Sequence, residues 1–251
     1  MEIINRKQRM ASIARKLRRE SKTVGFVPTM GALHGGHVAL VKEARRMSDI
    51  VIASIFVNPA QFGANEDFEL YPRDLTADAA MLAEYEVDYV FAPDTEEIYG
   101  PDFSTHVYVE GLSETLEGAS RPGHFRGVAT VVTILLNTVR PDLAFFGSKD
   151  AQQVGIVKRL VQDLGFETEV VVVPTVREES GLAMSSRNAY LTEEEREKAS
   201  VIYLALRDAK IAFKEGQRNA AKIAQIVEDK IAAEPLARID YVAVVSNDNL
   251  E

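Results

Sequence analysis

Apolar and polar positions along this chain alternate in two periods, one near four residues and one near two. Met10, Ile13, Ala14 and Leu17 recur at i, i+3, i+4 and i+7, one face of a helix, with Arg15, Lys16, Arg18 and Arg19 mostly off that face as its solvated side. Val24–Pro28 reads as a short buried strand, followed by a glycine-rich turn and a helix from about Gly36 to Met47. The β-branched run Ile50–Val57 predicts a second strand, Ala77–Glu86 a helix, and Tyr89–Ala92 a strand ended by Pro93. By periodicity alone Val128–Val139 fits a strand or a buried helix; its length, and Pro141 just beyond it, favour helix. Leu143–Phe146, Ala151–Leu164 and Thr168–Val173 then predict strand, helix and strand. Strands alternating with helices imply an α/β fold, a doubly wound parallel sheet with helices on both faces.

Past Pro174 the pattern changes. Thr192 with Glu195 forms a capping box that opens a long helix to about Lys214, ended by Gly216. A further helix is expected from about Ala220 to Ala233, and a final strand over Ile239–Val245. These elements predict a domain boundary near Pro174–Arg177, with residues 1–175 as the larger domain and 176–251 as a small C-terminal α+β domain.

Composition narrows the class. Of 251 residues, 46% are hydrophobic and 27% charged, which excludes a disordered, collagenous or coiled-coil chain. No apolar run approaches the roughly 20 residues that cross a bilayer, and the N-terminus has no signal-peptide h-region, so neither membrane nor export is expected. Zero cysteines exclude thiolate catalysis and fit a reducing cytoplasm. A net charge of -9 argues against nucleic acid as a partner.

Candidate chemistry begins at Phe26-Val27-Pro28-Thr29-Met30-Gly31-Ala32-Leu33-His34-Gly35-Gly36-His37, which follows the first strand of that alternation and opens a helix. Ligands bind at the carboxyl ends of strands in an open parallel sheet, and a helix N-terminus there offers unpaired N–H groups to a phosphate. Neither a dinucleotide fingerprint nor a P-loop is present. The two histidines admit three readings: metal ligands, incidental residues of a helix start, or N–H donors to the oxygens of a triphosphate.

Histidine in H-x-G-H spacing after a first strand resembles the nucleotidyltransferase superfamily, and Met184-Ser185-Ser186-Arg187 is similar to its second signature. Further motifs narrow the resemblance to the pantoate–β-alanine ligase family. They are Ser54-Ile55-Phe56-Val57-Asn58-Pro59-Ala60-Gln61-Phe62-Gly63, Glu66-Asp67-Phe68, Tyr71-Pro72-Arg73, Arg121-Pro122-Gly123-His124-Phe125-Arg126-Gly127-Val128, Phe146-Gly147-Ser148-Lys149-Asp150-Ala151-Gln152-Gln153 and Gly181-Leu182-Ala183-Met184-Ser185-Ser186-Arg187-Asn188. The resemblance spans nearly the whole chain.

It implies a Rossmann-like fold and an AMP-forming ligase that joins pantoate to β-alanine with ATP and Mg²⁺, through an enzyme-bound pantoyl adenylate. On the matching positions, Met30, Gly31, Ala32, Leu33, His34, Gly35, Gly36 and His37 would line the ATP site, with His37 as proton donor and His34 on a phosphate. Gly147, Ser148, Lys149, Asp150, Met184, Ser185, Ser186 and Arg187 would complete that site, Lys149 and Arg187 as its cations, with Val176 near the adenine. Gln61 and Gln153 would hold pantoate, Gln61 would also help place β-alanine, and Asn58 and Tyr71 are candidates near that pocket; the metal ligands are not assigned. His124 reads as a structural hydrogen-bonding residue. A homodimer through the larger domain is implied as well.

Departures are few. Gly35 and Ser148 stand where acidic residues are common, Ala151 replaces an aromatic residue, and Thr133-Ile134 lacks a frequent lysine. The family usually continues past the expected Ile239–Val245 strand, so the small domain, a lid in the family, is expected to lack its last segment. Two rivals remain: a nucleotidyltransferase that releases a nucleotide adduct, and a nucleotide-binding module without turnover.

Overall fold

Six short apolar segments pair edge to edge in the computed structural model, which describes residues 1–246 and 250. They are β1 (Glu2–Ile4), β2 (Val24–Thr29), β3 (Ile50–Ile55), β4 (Tyr89–Phe91), β5 (Leu143–Gly147) and β6 (Glu169–Val173). Every pairing is parallel, and the order across the sheet is β1-β4-β3-β2-β5-β6. Helices α1 (Lys7–Arg19), α2 (Gly35–Met47), α3 (Leu75–Glu84), α4 (Thr95–Ile98), α5 (Glu117–Ser120), α6 (His124–Val139) and α7 (Ala151–Asp163) connect them. This is the expected α/β architecture, with one strand more: β1 is too short for periodicity to reveal, and is a strand because Ile4 is buried and its backbone pairs with Phe91.

Because strand side chains alternate, each strand feeds two cores. Phe26, Ile52, Phe91, Ala144 and Phe146 face one layer, filled by α1, α6 and α7. Val27, Val51, Ala53, Val90 and Phe145 face the other, filled by Leu40, Val41 and Ala44 of α2 and Leu82 of α3. Burying each large side chain contributes about 1.5–3 kcal/mol. Helix α6 lies within the first layer, which explains its nearly continuous apolar sequence. Its threonines at 130, 133 and 138 return their hydroxyls to the i−4 carbonyls at 2.7 Å, so none is left unsatisfied.

One close approach ties α6 to the loop after β3. A Cβ on Gly127 would lie 2.1 Å from the carbonyl oxygen of Ala60, inside the 3₁₀ turn Pro59–Gln61. Gly127→Ala is expected to cost about 1–3 kcal/mol through overpacking against backbone, lowering Tm by several degrees in a circular-dichroism melt.

The chain divides into two units, Met1–Pro174 and Thr175–Glu251. The second contains α8 (Glu193–Lys198), α9 (Val201–Lys214) and α10 (Ala220–Ala232). The Thr192–Glu195 capping box is present, but the long helix it was expected to open is two helices. At the joint the Ser200 hydroxyl donates to the Glu197 carbonyl at 2.7 Å, and the backbone bonds shorten to i→i−3. The expected strand over Ile239–Val245 is not one. Ile239 and Val242 pack against α9 and α10, but no neighbouring strand exists among the described residues to complete a ladder. In place of the α+β pattern, the described part of this unit has helices and one isolated antiparallel bridge, Arg177 with Ala183. Glu251, where the family's further segment was expected to follow, lies outside the described residues.

Candidate active site

Strand β2 is flanked by β3 and β5, and the chain proceeds outward from it in both directions, so the crevice past its carboxyl end is the sheet's switch point. The segments leaving β2 and β5 are Met30–His37 and Gly147–Asp150. The first two groups of expected nucleotide contacts are therefore brought to adjacent strand ends.

The β2 exit is tightly held. The Thr29 hydroxyl donates to the Ser54 carbonyl at 2.6 Å and accepts from the Gly31 N–H at 3.1 Å. Gly31 has φ +83° and Ala32 φ +49°, a left-handed pair that turns the chain sharply. Beneath this turn lies Asp78 of α3, buried, its two carboxylate oxygens accepting from the N–H groups of Ala32 at 2.9 Å and Leu33 at 2.8 Å. Sequence reasoning missed Asp78; its one signal is an acidic residue among the apolar positions of α3.

His34 is the N-cap of α2. Its Nδ1 accepts from the Gly36 N–H at 3.1 Å, and the His34 N–H donates to Nδ1 of His37 at 3.3 Å. Each ring thus uses Nδ1 as an acceptor, which assigns the proton of each neutral imidazole to Nε2. The rings sit 4.1 Å apart between centroids. Burial, then the neighbouring His34 and the Lys149 ammonium, push His37 down to about 3; burial and Lys149 lower His34 as well. Both rings are neutral N–H donors at pH 7. With Nδ1 occupied and Nε2 protonated, they are not poised as metal ligands in this state.

Lys149, half-exposed, pairs with Asp150 at 3.0 Å in the 3₁₀ turn Ser148–Asp150. Gln152 and Gln153 begin α7 but differ. Gln152 is buried and bonded at both ends, donating to the Leu112 and Thr115 carbonyls and accepting from the Glu117 N–H. Gln153 is half-buried, and no hydrogen bond to its side chain occurs among the described residues.

Gln61 lies in the 3₁₀ turn after β3. Its Oε1 accepts from Asn58 at 3.0 Å and its Nε2 faces the Met30 sulfur at 3.2 Å, linking it to the β2 exit. The Gln61 carbonyl accepts from Nδ1 of His124 at 2.8 Å, while Nε2 of that ring accepts from Arg121 at 3.3 Å. Arg121 in turn grips Glu66 with two nitrogens and reaches Glu117 at 3.4 Å, holding the Glu66 carboxyl below its ordinary range. His124 therefore has the structural role expected of it. Asn58 is buried with its polar atoms taken by the protein, and Tyr71 is buried edge-on against Phe62.

The remaining expected contacts lie in the second unit. The Val176 carbonyl accepts from the Met184 N–H at 3.0 Å, so a tight hairpin brings these two together. Ser185 caps the 3₁₀ turn Ser186–Tyr190 by accepting from the Arg187 N–H. Asn188 and Arg196 both bind Glu178 and brace the hairpin.

The sequence profile of pantoate–β-alanine ligases matches residues 2–251. The chain belongs to that family. Its reaction is the family's, the joining of pantoate to β-alanine. The pantothenate synthetase of Carboxydothermus hydrogenoformans is 57% identical over 235 residues, 93% of this chain and 83% of that one. The crystal structure of pantothenate synthetase from Thermus thermophilus superposes with a TM-score of 0.95 at 50% identity, covering 100% of this chain and 89% of that one. The pantoate–β-alanine ligase of Francisella tularensis, solved in complex with β-γ ATP and β-alanine, gives a TM-score of 0.80 at 39% identity, over 92% and 86% of the two chains.

Proposed function

We propose that the chain makes pantothenate in two steps at the crevice past β2 and β5. A carboxylate oxygen of pantoate attacks the α-phosphorus of ATP; the new O–P bond forms as the bond to pyrophosphate breaks, leaving pantoyl adenylate. The amine of β-alanine then attacks the acyl carbon, loses a proton and expels AMP. Such transfers demand positioning and charge stabilisation more than covalent work by the protein.

The observation that carries this reading is the pair of neutral imidazoles at the N-terminus of α2, each with its proton on Nε2, beside Lys149. The rings donate to phosphate oxygens, and the Lys149 ammonium balances the charge that builds on the leaving pyrophosphate. Met30–His37 and Gly147–Asp150 form the nucleotide site, with Val176 and Met184–Arg187 as its further contacts by resemblance. Gln61 and Gln153 orient pantoate as neutral amides, leaving its carboxylate nucleophilic. Asn58 and Tyr71 support that pocket from within the protein.

ATP is the co-substrate, and Mg²⁺ is carried over from the resemblance. Among the described residues no cluster of three or more His, Asp or Glu side chains is placed for a metal. Among the described residues no helix is long and apolar enough to cross a membrane. A cytoplasmic homodimer, joined through the larger unit, completes the proposal, and sedimentation would test it.

The deciding assay is AMP release with ATP, Mg²⁺, pantoate and β-alanine, each omitted in turn. AMP is expected only with all four present, and pyrophosphate–ATP exchange with pantoate but without the amine. Release of a nucleotide adduct, or ATP binding without exchange, would overturn the reading.

A further inference from the structure

Asn58 is 1% exposed and its side-chain amide is fully used. Its Oδ1 accepts from the Ala60 N–H at 3.2 Å and the Tyr99 hydroxyl at 2.7 Å. Its Nδ2 donates to the Gly127 carbonyl at 3.2 Å and to Oε1 of Gln61 at 3.0 Å. Two of these partners are backbone groups of fixed polarity, a donor on one side and an acceptor on the other. The amide of Asn58 therefore has one satisfied orientation; turned over, it would set N–H against N–H and oxygen against oxygen.

That orientation propagates. Because Asn58 presents N–H to Gln61, Gln61 must answer with Oε1, and its NH₂ group is directed away. One partner of that group is the Met30 sulfur, a weak acceptor, and no second one occurs among the described residues. The Gln61 backbone is anchored independently through its carbonyl by His124.

We propose that Asn58, seated by Ala60, Gly127 and Tyr99, is a positioning residue that locks the amide polarity of Gln61, so that the site offers N–H to the acid and discriminates a carboxylate from its carboxamide. This rests on the reading that Gln61 meets pantoate. To such a donor a carboxylate offers a charged oxygen in either orientation, whereas a carboxamide offers a neutral carbonyl one way round and an opposed N–H the other, and both are weaker partners.

The test compares binding of pantoate with that of pantoamide, its neutral carboxamide, in the full-length chain. The unaltered protein is expected to prefer pantoate by roughly tenfold to a hundredfold. Asn58→Ala frees the Gln61 amide to turn over and is expected to shrink the preference severalfold or more, with ATP binding unchanged. Asn58→Asp forces the turn, because the new carboxylate takes the Gln61 NH₂, and is expected to abolish the preference. A merely structural Asn58 would weaken both ligands alike and leave their ratio intact, which would overturn the proposal; so would a ratio moved only by Asn58→Asp, which charge repulsion alone explains. If neither variant folds, the Gln61 side-chain amide resonance of the unaltered protein decides. A single species with a nuclear Overhauser contact to the Met30 methyl supports the lock, and exchange between two rotamers overturns it. Gln61→Ala separates the two readings: unchanged pantoate binding there defeats the placement of pantoate, whereas lost binding there with an unmoved ratio at Asn58 defeats the lock alone.

Discussion

Replacing His37 with alanine is expected to slow pantoate-dependent pyrophosphate–ATP exchange by roughly a hundredfold to a thousandfold, the range for removing one preorganised donor from a developing negative charge. The ring contributes more than a donor. Its Nδ1 accepts from the His34 N–H, so the alanine variant also leaves a group of the helix N-terminus without that partner. His37→Gln, which keeps a neutral donor, is expected to retain more of the exchange rate than the alanine variant. Exchange that survives in His37→Ala at the unaltered rate would remove the imidazole pair from the chemistry.

The same ring sets a pH dependence whose sign follows from its burial. Folded, His37 titrates near 3, against 6.5 for a free imidazole. Between those values the unfolded chain binds more protons than the folded one, so stability rises with pH across that window. This contribution is complete above about pH 6.5 and is lost as pH falls toward 3, a change on the order of a few kcal/mol. Tm of the unaltered protein is therefore expected to fall more steeply from pH 6.5 to 4 than that of His37→Gln. Equal slopes would mean that the ring is protonated in the folded protein.

Much of the larger unit was legible because its determinants are local. The helical face Met10, Ile13, Ala14, Leu17 and the alternating runs of β2 and β3 carry their burial pattern in neighbouring residues. The histidine loop was legible for the same reason: its glycines and imidazoles are consecutive. What escaped depends on distant partners. β1 exists through pairing with β4, more than eighty residues away in sequence. Ile239–Val245 has the composition of a strand, yet composition supplies no neighbour to bond with. Ser200 interrupts a helix through one hydroxyl, which the periodicity of the flanking residues hides. In the site, the motif around Asn58 points to a place near the substrate, but its own bonding faces inward and its effect passes through Gln61. The Glu66–Arg121–His124 chain that holds the Gln61 backbone joins three motifs that sequence alone could only place side by side.

Asp78→Ala is expected to show how much of the nucleotide site is backbone. The carboxylate holds the N–H groups of Ala32 and Leu33 from beneath, and these residues follow directly on the left-handed Gly31. Charge-assisted bonds of this kind contribute about 1.5–3 kcal/mol each, and part of the loss is recovered by water reaching the loop, so about 2–4 kcal/mol of stability should disappear. Activity should fall further than stability suggests. Without its anchor the turn relaxes, His34 no longer enters α2 at a fixed angle, and both Nε2 donors lose their aim. KM for ATP is expected to rise at least about tenfold while pantoate binding, measured separately, stays within about twofold, since Gln61 is held from β3 and α6. Asp78→Asn should fall between the two proteins: its one oxygen serves a single N–H, and its NH₂ opposes the other. An alanine variant with an unchanged KM for ATP would mean that the loop holds its shape through Thr29 and Gly31 alone, and that the carboxylate under it is incidental to the site.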